Sequence, residues 1–151
     1  MNTSIEQIAS TAKLLGKKLG VVSTVSVGGA PESAFVYFII DDALNVYFAT
    51  RAGSRKYKNL MQNPRAAFVI ASEHPPQTIQ IEGDATVVTD ANEQQTLLPD
   101  LIKMLSEGGY VRPMNHMMDS ELVFMKISPT WARFGDFEVV REEGAFREVS
   151  V

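Results

Sequence analysis

The sequence predicts a mainly β fold with flanking helices, built as a small six-stranded antiparallel barrel. Six runs rich in β-branched and aromatic residues follow one another along the chain, and turn signals such as GGAP and DDA separate several of them. Helical spacing of apolar residues is largely confined to segments at the margins of these runs. Because neighbouring strands joined by short turns pair antiparallel, these observations favour a barrel.

The first element is predicted to be a helix from about Thr3 to Lys18. Thr3 and Glu6 have the spacing of a capping box, and apolar residues recur behind them at helical intervals. The runs LGVVSTVSV, SAFVYFII and LNVYFAT then predict a three-stranded meander. A short helix from Arg55 to Gln62 follows, and RAAFVIA is the fourth strand.

The fifth predicted strand, QTIQIEGDATVV, has the clearest alternation. Ile79 and Ile81 fall on one face, while Glu82 and Asp84 fall on the other. These two carboxylates are interpreted as the polar face of the barrel rather than as a catalytic pair. Gly83 interrupts the alternation, which predicts a bulge or a barrel bend.

A third helix is predicted from a cap at Asp90 toward Glu107, with a kink or break at Pro99. The run ELVFMKISP predicts the sixth strand, and TWARFGDFEVV either extends it or returns beside it. The polar tail REEGAFREVS is expected to be peripheral. We expect residues 1–151 to form a single domain.

Composition excludes several functional classes. The formal net charge of −4 argues against a nucleic-acid partner. Cysteine is absent, which removes disulfides, thiolate metal sites and cysteine nucleophiles. The N-terminus lacks the pattern of a signal peptide, and no apolar run is long enough to span a bilayer, so we expect a cytoplasmic protein with no membrane partner.

Histidines do not predict a metal site. His74 and His116 are the two histidines, and no carboxylate–histidine spacing supports a metal pair. Structural or surface roles are expected for both, and no role is assigned to them or to Arg112.

Positive charge is concentrated in one short segment. No lysine or arginine occurs from Leu19 to Thr50 or from Ala66 to Ile102. Between these stretches lie five cationic residues: Arg51, Arg55, Lys56, Lys58 and Arg65. Ser54 is the predicted N-cap of the short helix, whose free amides and partial positive charge attract anions. The segment therefore predicts a site for a dianionic phosphate, and the alternative is an ordinary capped helix with solvated charges.

This segment resembles the pyridoxamine 5′-phosphate oxidase-like, FMN-binding split-barrel superfamily. The likeness covers roughly residues 19–88, with a looser match near 127–134. The residues that match the superfamily pattern in order and spacing are Thr50, Ser54, Arg55, Lys56, Asn63, Pro64 and Gly83. The resemblance implies a split barrel whose cofactor is FMN.

The resemblance also implies which residues contact the cofactor. Thr50, Arg55 and Lys56 would bind the FMN phosphate or its surroundings, and the strand from Ala34 to Ile39 would run beside the flavin ring. The expected cofactor-binding residues are Val36, Tyr37, Phe48, Ala49, Thr50, Arg51, Ser54, Arg55, Lys56, Thr78 and Trp131.

Two of these residues carry open alternatives. Arg51 either replaces an arginine that the true oxidase carries, or is a solvated loop charge. Trp131 either covers the flavin or crosses to a partner subunit, or simply packs in the core or an interface.

The sequence departs from the true oxidase at several positions. The oxidase's cofactor-phosphate arginine and substrate-phosphate lysine fall at Ala34 and Ile39, and a glutamine near the flavin falls at Thr78. Its C-terminal substrate-binding segment has no clear counterpart. Because an apolar residue cannot replace a phosphate-binding cation, the looser relatives fit better, namely flavin reductases and general-stress-type flavoproteins.

The functional hypothesis is an FMN-dependent oxidoreductase that passes electrons from a reduced nicotinamide to a small-molecule acceptor. No catalytic side chain is predicted, because the flavin itself performs the transfer. The alternatives are a flavin-binding carrier or sensor, and the same fold with a deazaflavin or haem. The run FVYFII is apolar on both faces, so its outer face must be covered by helices or by a second subunit, and we expect a homodimer. The resemblance implies that FMN lies at the subunit interface.

Overall fold

The computed structural model describes residues 4–14, 19–107, 122–138, 144–149 and 151. Its elements, in chain order, are α1 (Ile5–Leu14), β1 (Leu19–Val25), β2 (Pro31–Ile40), β3 (Val46–Arg51), α2 (Arg55–Gln62), β4 (Arg65–Glu73), β5 (Pro76–Val87), α3 (Ala91–Glu107), β6 (Leu122–Asp136) and β7 (Phe146–Val149). Among the described residues, no helix combines the length and the apolar character that a bilayer span requires.

Strands β1 to β6 form a closed antiparallel barrel. Its order is β3-β2-β1-β4-β5-β6, and β6 closes the ring by pairing with β3 from Val46↔Ile127 to Arg51↔Leu122. Strand β7 pairs with β6 as an addition to the ring. The predicted six-stranded barrel and the β1–β3 meander are confirmed.

Alternate residues of each strand fill the barrel interior. Phe48, Phe68, Ile79 and Met125 come from four different strands and are fully buried in one cluster. The predicted alternation of β5 is confirmed, since Ile79 is buried and Glu82 is exposed. The opposite faces of β1, β2 and β4 remain partly open.

The cap of α1 lies one residue later than predicted. The Gln7 amide donates to Ser4 Oγ at 3.2 Å, and the Ser4 amide donates to Gln7 Oε1 at 3.1 Å. The described capping box therefore uses Ser4 and Gln7, because glutamine serves at this position as well as glutamate, and Thr3 of the predicted box lies outside the described residues. The described helix ends at Leu14, and residues 15–18 lie outside the described part of the chain.

Gly83 produces the predicted bulge. The register between β5 and β6 shifts between Glu82 and Gly83. A Cβ atom on Gly83 would lie 2.1 Å from the carbonyl oxygen of Ser128. The glycine therefore permits the close approach of two backbones where the barrel bends.

In the C-terminal third, the predicted third helix and sixth strand are both present. Helix α3 begins after a cap in which Asp90 Oδ1 accepts from the Glu93 amide at 2.8 Å, but it continues through Pro99 without a break. Pro99 is exposed, so water can satisfy the carbonyl that loses its N–H donor. Of the two alternatives for the sixth strand, the structure shows one continuous strand, β6.

The polar tail is not wholly peripheral. Phe146–Val149 forms strand β7, and Val149 is only 8% exposed and belongs to the core cluster. A mostly polar strand pairs here because β6 offers it a free edge.

Candidate functional site

A cleft of about 310 Å³ opens between the β1–β2 hairpin and the start of α2. Its lining residues are Val22, Thr24, Glu32, Ser33, Ala34, Arg55 and Lys56. The hairpin register places Thr24 opposite Glu32 and Val22 opposite Ala34. The structure therefore brings Arg55 and Lys56, both predicted from the basic segment, to one cavity.

The N-terminus of α2 is fixed by a capped turn directly after β3. Ser54 has an extended backbone, and its Oγ accepts from the Tyr57 amide at 3.2 Å. Thr50 is 3% exposed, and its hydroxyl shares a 2.9 Å hydrogen bond with Ser54 Oγ. The predicted N-cap is confirmed, and Thr50 holds the capping hydroxyl in place.

The first amides of α2 remain available as donors. The first backbone hydrogen bond of the helix runs from the Lys58 amide to the Ser54 carbonyl at 3.1 Å. The amides of Arg55 and Lys56 precede it, so no intrahelical acceptor reaches them. Together with the helix dipole, these amides favour an anion at this end of the cleft.

The two cations of the cleft differ in environment. The Arg55 side chain is 82% exposed, and its guanidinium forms an ion pair with Glu32. Lys56 is half-buried, and this burial lowers the pKa of its ammonium group below the ordinary value. An anion bound beside Lys56 would offset the lost hydration of that charge.

Glu32 and Asn59 are site residues that sequence reasoning missed. The Asn59 side-chain amide is buried and donates to Glu32 Oε2 at 2.8 Å and to Thr24 Oγ1 at 3.0 Å. Hydrogen bonds from Asn59 and then Arg55 lower the pKa of the Glu32 carboxyl. The one signal in the sequence was an acidic residue near the start of the otherwise largely apolar strand PESAFVYFII.

The apolar face of α2 is narrow. Leu60 is buried and Tyr57 packs against the core, but Met61 is 46% exposed. Asn59 rather than Met61 turns toward the barrel, because the hairpin supplies its hydrogen-bond partners.

Several predicted site residues on β2 and β3 lie outside the lining of the cleft. Val36 and Phe48 are buried in the core. Tyr37 on β2 and Ala49 on β3 are partly buried, and each alternates along its strand with buried residues. Arg51 is exposed at the end of β3, and its carbonyl accepts from the Ser54 amide.

Thr78 and Trp131 lie on the outer face of the barrel. The Thr78 hydroxyl donates to the Ile70 carbonyl at 3.0 Å. Trp131 borders a second cavity of about 230 Å³, together with Val21 and Val69. Within one chain, neither side chain lines the cleft beside α2.

His74 does not line the cleft. His74 is exposed in the turn between β4 and β5, whereas His116 and Arg112 lie outside the described residues. In the described ranges, no group of three or more histidine, aspartate or glutamate side chains is arranged to hold a metal ion.

Solved structures with the same fold include ligand-binding proteins. A pyridoxamine 5′-phosphate oxidase-related, FMN-binding protein from Nostoc punctiforme is 15% identical, with a TM-score of 0.61, and the match covers 92% of this chain and 86% of that one. The general stress protein 26 from Bacillus anthracis is 22% identical, with a TM-score of 0.61 and coverages of 84% and 91%. Both similarities show a shared fold.

A third structure is larger than this chain. The heme-binding protein from Mycobacterium smegmatis has a TM-score of 0.74 at 15% identity, and the match covers 99% of this chain but 59% of that one. No curated protein shows a significant sequence match.

The sequence matches a protein-family model over most of its length. The model described as pyridoxamine 5′-phosphate oxidase matches residues 8–136, which include the barrel strands, the basic segment and the capped start of α2. The chain belongs to the pyridoxamine 5′-phosphate oxidase family.

Proposed function

We propose that the chain binds FMN, with the phosphate in the cleft at the start of α2, and acts as an FMN-dependent oxidoreductase. The observation that supports this most is the placement of Arg55 and Lys56 on one cavity beside a capped helix N-terminus. A guanidinium, an ammonium and free amides together match the oxygen acceptors of a phosphate.

The residues present fit a phosphate, although with fewer cations than the true oxidase. Ala34 lines the cleft where that enzyme carries an arginine. Arg51, the proposed replacement, is exposed at the end of β3 and is not among the lining residues. This charge deficit favours a relative of the oxidase with another substrate over pyridoxamine phosphate oxidation itself.

The chemistry proposed for this site is electron transfer. When bound, FMN supplies the hydride and electron chemistry, and the protein supplies binding and orientation. Thr50 and Ser54 fix the helix mouth, and Arg55 and Lys56 bind the phosphate. A reduced nicotinamide is the proposed donor and a small molecule the proposed acceptor, with a flavin carrier or sensor as the alternative.

We propose that the outer face of β1, β2 and β4 forms a homodimer interface. Val21 lies between Phe35 and Val69 in register, which makes a continuous apolar row, and Phe35 is 76% exposed. Trp131 lies on the same side of the barrel. A second copy seated here would bring Trp131 and Thr78 of one subunit toward the ligand of the other.

Titration of the apo protein with FMN and riboflavin, followed by flavin fluorescence, tests the phosphate site. Arg55→Ala and Lys56→Ala should each weaken FMN binding about tenfold or more, because each removes charge-assisted hydrogen bonds. Riboflavin binding should hardly change, since riboflavin has no phosphate. Lys58→Ala is the matched control, because Lys58 is an exposed cation of the same helix outside the cleft lining.

An equal loss in all three variants would contradict the assignment of the cleft. The visible spectrum then separates the cofactor alternatives, because a Soret band rather than flavin bands identifies haem. Anaerobic bleaching of the flavin bands by NADH or NADPH distinguishes an oxidoreductase from a carrier or sensor.

A further inference from the structure

One carboxylate faces the two cations of the proposed phosphate site. Glu32 lines the same cleft as Arg55 and Lys56, and its Oε1 accepts from the Arg55 guanidinium. The three side chains together carry a net charge of about +1, whereas a phosphate monoester carries nearly two negative charges at neutral pH. An incoming phosphate therefore meets a neighbouring anion as well as its binding groups.

The carboxylate is anchored independently of Arg55. Asn59 is buried and uses both N–H groups of its side chain, one toward Glu32 Oε2 and the other toward Thr24 Oγ1. Thr24 lies opposite Glu32 in the β1–β2 register, so hairpin and helix fix the carboxylate together. If Arg55 turned toward a ligand, the Glu32 charge would stay in the cleft.

We propose that Glu32 is a specificity-determining residue that competes with phosphate for Arg55. This inference rests on the proposed function, because it concerns the charge that the same cleft accepts. Glu32 lowers the affinity for a dianionic phosphate group and leaves the affinity for an uncharged ligand of the same shape unchanged. The protein therefore discriminates less strongly between FMN and riboflavin than it would without this carboxylate.

A second possible role for Glu32, orienting Arg55 toward the ligand, predicts the opposite change in phosphate affinity. A carboxylate that merely oriented Arg55 toward the ligand would strengthen phosphate binding, and its removal would weaken it. The competing role predicts that removal strengthens binding, because the guanidinium is freed and the repulsion between two anions disappears. The sign of the change therefore distinguishes the two roles.

The test compares the wild-type protein with Glu32→Gln. The glutamine amide oxygen can still accept from Asn59, which preserves the link between hairpin and helix. Glu73→Gln is the matched control, since it removes one negative charge from an exposed position at the end of β4, outside the cleft lining. Affinities for FMN and riboflavin are measured by fluorescence titration, and inorganic phosphate is titrated while the Lys56 amide is followed by NMR.

We expect Glu32→Gln to tighten FMN and inorganic phosphate binding about three- to tenfold, with the gain falling as salt is added. Riboflavin binding and the Glu73→Gln control should stay at wild-type values. Unchanged or weaker phosphate and FMN binding by Glu32→Gln would overturn the competing role. If phosphate binding tightens but neither protein binds FMN, the inference about Glu32 holds and the proposed FMN function fails.

Discussion

Asn59 shows at the residue scale how one buried amide joins a helix to a hairpin. Its two donors satisfy Thr24 and Glu32, which lie on paired positions of β1 and β2. Removing the amide would leave a buried hydroxyl and a carboxylate without that donor, and unsatisfied polar groups are costly. The orientation of α2, and with it the cleft, depends on this contact.

Asn59→Leu should therefore lower the free energy of unfolding by about 1–3 kcal/mol, the typical cost of orphaned buried partners. Urea unfolding measured at equilibrium checks this value. Gln62→Leu is the control, because Gln62 is an exposed residue at the end of the same helix. A loss below about 0.5 kcal/mol, the usual range of surface substitutions, would show that the contact is not stabilising.

The sequence was enough to predict the roles of residues whose contacts lie close by along the chain. Ser54 caps the residues that directly follow it, so its role and the place of Arg55 and Lys56 were predictable from spacing. Glu32 and Asn59 are 27 residues apart and meet only because the hairpin packs on α2. No local pattern encodes that contact.

At the element scale, strand β5 owes its bend to one residue without a side chain. A methyl group on Gly83 would overlap the Ser128 carbonyl oxygen, which belongs to the backbone of β6 and cannot turn aside. The bulge and the pairing of the two longest strands are therefore coupled.

We expect Gly83→Ala to destabilise the fold by more than about 2 kcal/mol, because overpacking forces the backbones apart. Thermal unfolding followed by circular dichroism would show a lower Tm. Gly28→Ala serves as the comparison, since a Cβ there meets nothing within 4 Å. Equal melting temperatures for the two variants would argue against a tight contact at Gly83.

The predicted bounds were most accurate for elements whose start and end are both marked by residues in the sequence. Helix α2 has its predicted bounds, because Ser54 caps its start and Asn63-Pro64 follows its end. The strand β7 was missed because its sequence is mostly polar and its pairing depends on the distant edge of β6. The continuity of α3 through Pro99 likewise reflects solvent exposure, which the sequence does not display.

At the scale of the whole molecule, the closed barrel leaves an apolar row on its outside. A charge placed in the centre of this row should prevent two copies from associating. We predict that Phe35→Glu elutes as a monomer in size-exclusion chromatography with light scattering, whereas the wild-type protein elutes as a dimer. Val27→Glu is the matched control, because Val27 is equally exposed but lies in the turn beyond β1.

A monomeric wild-type protein would contradict the proposed interface. A dimeric Phe35→Glu variant would show that the interface lies on another face. If FMN requires both subunits, the monomeric variant should also lose FMN binding. The barrel was predictable from the succession of hairpins, but the face proposed for a second copy is identified by its exposure, which appears only after folding.

Strand β3 is hydrogen-bonded along both of its edges, and it leads into the proposed ligand site. Strand β3 is hydrogen-bonded to β2 and to β6, and the capped turn at its end leads directly into α2. The backbone of the proposed anion site is thus ordered by folding, so little backbone entropy would be lost when an anion binds. We therefore expect ligand binding without backbone rearrangement, in which only the Arg55 side chain turns from Glu32 toward the ligand, and an association rate set largely by diffusion and charge.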